Sequence, residues 1–135
     1  MEIFSFEGLL RAARRQAEPQ RLLFVFAGVE LSDHSTPEQR EHFRGGRGGA
    51  FIPLMCVDKT PQEISSFSQL EEESRQFGHD WVMVFVAGLS GRLGIAPSPD
   101  EAKKALERME GSVKAGALGA FIPFDRMGHP AVLSE

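Results

Sequence analysis

The chain has 135 residues, 41% of them hydrophobic and 25% charged, with 19 acidic against 15 basic side chains and a formal net charge of −4. That length fits one compact domain with a core of its own, and the acidic balance argues against nucleic-acid binding, which rests on phosphate neutralisation. A lone cysteine, Cys56, excludes an internal disulfide and a dithiol redox cycle. No apolar run approaches the roughly 20 residues of a membrane span, and no secretory leader opens the chain, so a cytoplasmic protein without a membrane partner is expected.

Phe6, Leu9, Leu10, Ala13 and Ala17 share one face of a predicted first helix that ends near Pro19. Leu22 to Val29 is an apolar run of strand length and composition. Thr36-Pro37-Glu38-Gln39 opens a second, mostly polar helix, stopped by Gly45-Gly46-Arg47-Gly48-Gly49, and Ala50 to Val57 supplies the next strand. A capping box at Thr60-Pro61-Gln62-Glu63 starts a third helix, with Ile64, Phe67, Leu70 and Phe77 facing inward and Glu71, Glu72 and Glu73 on a solvated face. Trp81 to Ala87 is the third strand. Ser98-Pro99-Asp100-Glu101 caps a helix anchored by Ala102, Ala105, Leu106, Met109 and Val113; Ala120 to Phe124 is the fourth strand, and the tail to Leu133 returns as a hairpin with an edge strand marked by Pro130.

Two motifs occur twice in the same order. Gly49-Ala50-Phe51-Ile52-Pro53 returns as Gly119-Ala120-Phe121-Ile122-Pro123, and Val25-Phe26-Ala27-Gly28 returns as Val84-Phe85-Val86-Ala87-Gly88. Such an order points to duplication of one supersecondary unit, with repeats at about 4–60 and 61–135 within a single domain. The expected fold is therefore α/β, an internally duplicated αβαβ unit whose 4–5 strands form one mixed, mostly parallel sheet covered by helices; the alternative is α+β with a more antiparallel sheet.

In a parallel sheet ligands favour the carboxyl ends of strands, here the loops after Gly28 and Gly88. The first offers Asp33 and His34 for acid–base work. The second offers Ser90, Gly91, Arg92 and Gly94, whose backbone amides and guanidinium suit a small anion, although the glycines also fit a plain turn. The arginines Arg11, Arg14, Arg15, Arg40, Arg44 and Arg47 read as solvated helix faces, and Cys56, inside an apolar strand, as a packed and inert thiol. Asp58-Lys59 and Asp125-Arg126 both follow a repeated strand, where they either line a shared groove or tie strand ends to helices. Four scattered histidines show no ligand spacing, so neither a metal nor a cofactor is expected.

Through Phe24-Val25-Phe26-Ala27-Gly28, Leu54-Met55-Cys56-Val57-Asp58-Lys59-Thr60-Pro61, Phe85-Val86-Ala87-Gly88-Leu89-Ser90-Gly91 and Phe121-Ile122-Pro123-Phe124-Asp125-Arg126, the chain resembles a family of short proteobacterial proteins labelled "ribonucleotide reductase subunit alpha". The resemblance covers almost the full length and implies an accessory place in nucleotide metabolism. It transfers no reductase chemistry, since that radical reaction uses several cysteines and this chain has one cysteine and no tyrosine. A small binding or accessory protein is expected, probing a protein partner or small anion and forming a homodimer or other homo-oligomer; the alternative is an enzyme acting on an anionic substrate.

Overall fold

The computed structural model describes residues 5–30, 50–78 and 80–131. Helix α1, Phe6–Arg14, starts where the Ser5 hydroxyl accepts the Gly8 N–H at 3.0 Å, and it buries Phe6, Leu9 and Leu10. Strands β1, Gln20–Glu30, and β2, Ala50–Lys59, follow. The expected helix at Thr36 lies outside the described residues.

The capping box at Thr60 forms, its Glu63 carboxylate accepting the Thr60 N–H at 2.8 Å, and that bond holds the Glu63 carboxyl below its usual range. It opens only one 3-10 turn, Pro61–Glu63. The chain then extends through Ile64, buries that side chain, and restarts at a second cap, Ser66, whose hydroxyl accepts the Gln69 N–H at 3.1 Å. Helix α2 is thus Phe67–Arg75, and Phe77 lies beyond its end, 59% exposed rather than inward. Strand β3 is Met83–Ser90, helix α3 is Pro99–Lys114 with the Ser98/Glu101 box in place, and β4 is Ile122–Asp125. After β4 the chain turns, and Pro130 bridges back to Phe124.

Among the described residues the sheet has four strands in the order β2-β1-β3-β4, and every neighbouring pair is antiparallel. This overturns the expected mostly parallel αβαβ sheet: with three helices beside an antiparallel sheet, the architecture is α+β. Two physical features account for the difference. β1 and β3 are apolar along both faces because helices cover both, and two-sided burial produces a continuous apolar run whatever the strand direction. Helix α3 also packs mainly on β2 and β1, away from the strands it connects, so it forms no tight crossover that would force β4 parallel to β3.

One face carries α1 and α2 over an aromatic core in which the Phe6 ring meets Phe67 and Phe124 edge-on at 5.1 and 5.4 Å. The Trp81 ring meets Phe26 at 5.0 Å, and its indole N–H donates to the Ser74 hydroxyl at 2.8 Å, which satisfies the buried donor. The other face packs Leu23, Val25, Ala27 and Phe85 against Ala102, Ala105, Leu106, Met109 and Val113 of α3. Each such fully buried apolar side chain contributes on the order of 2 kcal/mol. The Ile-Pro of both repeated segments falls on the outer strands β2 and β4, where proline's missing N–H removes no bond from the sheet interior. Across the central seam Val25 pairs with Phe85, a separation of 60 positions that also separates Gly28 from Gly88.

Candidate functional site

Because β1 and β3 are antiparallel, their carboxyl ends lie at opposite ends of the sheet. The two loops singled out by sequence therefore leave from opposite ends. Asp33 and His34 lie outside the described residues. Ser90, Gly91, Arg92 and Gly94 are brought together, and their polar groups are already engaged. The Gly91 N–H donates to the Pro19 carbonyl at 2.8 Å, the Gly94 N–H donates to the Glu18 carboxylate at 2.8 Å, and the Ser90 hydroxyl accepts from Gln20 Nε2 at 2.9 Å. Arg92 extends into solvent, 4.0 Å from Glu101. A carboxylate of the chain itself thus occupies the anion position on Gly94.

The glycines here serve the backbone. A Cβ on Gly91 would sit 2.1 Å from the Ile95 carbonyl oxygen. Arg92 and Ile95 exchange both backbone hydrogen bonds at 2.9 Å, and the two residues between them, Leu93 and Gly94, have φ of 54° and 77°, the signature of a type I′ turn.

The paired dipeptides do not share a groove either. β2 and β4 are the outer strands on opposite edges and run in opposite directions, so Lys59 and Arg126 stand near opposite corners of the sheet. Both bind α2: Lys59 pairs with Glu73 at 2.8 Å and Arg126 with Glu71 at 3.7 Å. Residues two apart on a helix point to nearly opposite sides, so one short helix is held from both flanks. Glu71 and Glu73 are therefore clamps rather than part of a solvated face. Asp58 pairs with Arg21, and Asp125 accepts the N–H groups of Met127 and His129 in its own turn. Arg14, expected on a solvated face, donates to the carbonyls of Pro61 and Ile64 at 3.1 and 2.8 Å.

Sequence reasoning missed the cavity at the seam of β2 and α2. It encloses about 350 Å³ over an apolar floor of Phe26, Met55, Val57 and Leu70, with Phe77 beside it and the Lys59–Glu73 ion pair at its rim. Phe77 was its one sequence signal: an aromatic residue about two turns past the preceding helical anchor, Leu70, in a polar context. A second hollow is lined by Asp80, Trp81, Val82, Asp125, Arg126 and Met127, and its cation is committed. Arg126 Nη1 donates to the Trp81 carbonyl at 2.9 Å while the guanidinium lies 5.0 Å over the Trp81 ring.

The Cys56 thiol turns to the other face and donates to Glu110 Oε2 at 3.2 Å. Burial, then the bond to and charge of Glu110, push its pKa up from 9.0 to about 12, which keeps it protonated and a poor nucleophile at neutral pH. Among the described residues no cluster of His, Cys, Asp or Glu has the makings of a metal site, and no helix is long and apolar enough to cross a membrane. No family model, curated protein or solved structure matches the chain.

Proposed function

We propose that this protein is a small cytoplasmic interaction module that receives an apolar side chain of a protein partner in the cavity between β2 and α2. The observation that carries this reading is the cavity's make-up: a floor of Phe26, Met55, Val57 and Leu70 that only an apolar group complements, and a rim of opposite charges that favours a peptide over a plain hydrocarbon. The competing reading, an enzyme for an anionic substrate, draws on the loops after Gly28 and Gly88 together. They leave from opposite ends of the sheet, and the amides of Gly91 and Gly94 are spent on the chain's own oxygens.

The one tryptophan reports on the cavity. Trp81 donates to Ser74, and Ser74 lines the wall, so a side chain entering the cavity changes the tryptophan's surroundings. Titration with N-acetyl-leucinamide is expected to give a saturable change in Trp81 emission in the wild type and none in Met55→Lys, which places an ammonium at the floor. A response that never saturates, or one that survives Met55→Lys, overturns the reading.

A further inference from the structure

The type I′ turn after β3 carries a residue that turn chemistry does not explain. Its first central position demands φ > 0, which asparagine, aspartate or glycine adopts readily and a leucine side chain opposes. Leu93 nevertheless holds φ of 54° there, and its side chain is 94% exposed. Ile95 follows, 71% exposed. The turn is not floppy, since Arg92 and Ile95 exchange two hydrogen bonds and Glu18 holds the Gly94 N–H. A rigid, solvent-exposed apolar knob in an unfavourable backbone conformation costs the free monomer stability without serving its packing.

The same chain carries the complementary hollow. The β2–α2 cavity has an apolar floor with room for a leucine side chain, and bears on its rim the Glu73 carboxylate, 38% exposed and paired with Lys59. The cation beside the knob, Arg92, is 88% exposed and meets its nearest acid, Glu101, only at 4.0 Å. Apolar knob matches apolar floor, and the guanidinium, held only loosely by Glu101, can join the Lys59–Glu73 pair at the rim through the exposed part of the carboxylate. Position also fits: Ser90 pairs with Gln20 and Lys59 with Leu22, so the knob leaving β3 and the cavity beside the end of β2 lie at the same end of the sheet, on either side of β1. Two copies meeting end to end about one two-fold axis bring each knob to the other's cavity together, closing the assembly instead of propagating a filament.

We infer that the Leu93 turn of one copy seats in the β2–α2 cavity of a second copy, and reciprocally, making the protein a closed two-fold dimer. This inference rests on the reading of the cavity as a receptor for an apolar side chain and names the partner as the chain itself.

Native mass spectrometry and analytical ultracentrifugation of the wild type, Leu93→Asn and Met55→Lys test it. Asparagine suits the turn better than leucine, so Leu93→Asn is expected to fold with an unchanged or higher melting temperature. The wild type is expected to be dimeric at about 100 µM, and each variant is expected to raise the dimer dissociation constant at least about tenfold, equivalent to about 1.4 kcal/mol. Mixing the two variants supplies one intact knob, from Met55→Lys, and one intact cavity, from Leu93→Asn. A mixed dimer more abundant than either variant's own is expected, an outcome that general destabilisation does not produce. A monomeric wild type, or a dimer indifferent to Leu93→Asn, overturns the inference. Saturable binding of N-acetyl-leucinamide by such a protein would leave the cavity reading standing while the dimer falls.

Discussion

The Cys56 thiol donates to Glu110 Oε2 at 3.2 Å and thereby joins edge strand β2 to helix α3. With its pKa pushed up to about 12 by burial and by Glu110, the thiol holds little thiolate at pH 8. Alkylation by iodoacetamide is expected to run about a hundredfold or more slower than for free cysteine, and Glu110→Gln is expected to accelerate it in protein that remains folded. Equal rates for Cys56 and free cysteine would refute the protonated, bonded thiol.

The same shift has a signature in stability. Because the folded pKa lies above the value of 9.0 for an unperturbed thiol, folding retains a proton that the unfolded chain has released between pH 9 and about 12. Stability from this group is fully present below pH 9 and declines as pH rises toward about 12. Cys56→Ser keeps a donor to Glu110 without titrating in this window, so its stability is expected to fall less steeply there than the wild type's. Parallel curves from denaturant titrations at each pH would contradict the assignment.

Arg126 ties three elements at one point, donating to the Trp81 carbonyl, lying over the Trp81 ring and pairing with Glu71 of α2. Lysine keeps the charge and loses the planar fork. Arg126→Lys is expected to cost about 1 kcal/mol, read as a drop of a few degrees in melting temperature. No measurable change would mean that α2 is held by its apolar face alone.

Two glycines are expected to respond to alanine with opposite signs. At Gly91 a Cβ meets the Ile95 carbonyl oxygen at 2.1 Å, a backbone contact with no cheap relief, and Gly91→Ala is expected to destabilise by about 2 kcal/mol or more. At Gly111, inside α3, the added Cβ meets nothing within 4 Å, and Gly111→Ala is expected to stabilise by about 0.5–1 kcal/mol. Thermal unfolding of the two variants separates these outcomes.

What was legible in the sequence was what is local. The Ser98 capping box, the α1 anchors Phe6, Leu9 and Leu10, the anchors of α3 and the apolar cores of β1 and β3 lie where patterning put them, because caps and periodicity act over a few residues; α1 stops at Arg14, so Ala17, expected on its inner face, lies exposed beyond it. Strand direction was not legible. Leu22 to Val29 and Val84 to Ala87 read alike whether neighbours run parallel or antiparallel, since burial on both faces erases the alternation that separates the cases. The repeat's separation of 60 fixes neither direction nor register, since partners across β1 and β3 are separated by anything from 70 positions, Gln20 to Ser90, to 56, Ala27 to Met83. The two candidate loops part company for the same reason, because the rule that gathers ligands at the carboxyl ends of neighbouring strands belongs to parallel sheets. The cavity unites β2, α2 and Phe77, distant in sequence, and no local motif marks such a meeting.

The most direct test of the cavity as the functional surface is a ¹H–¹⁵N correlation spectrum of Leu93→Asn, whose turn does not fill a second copy's cavity, recorded during titration with N-acetyl-leucinamide. The expected result is a saturable set of shifts centred on the amides of Met55 to Lys59 and Leu70 to Phe77, with a smaller response at Trp81 through Ser74 and none in β4. Shifts centred on Asp80 to Val82 and Asp125 to Met127, or no saturable shifts at all, would contradict it.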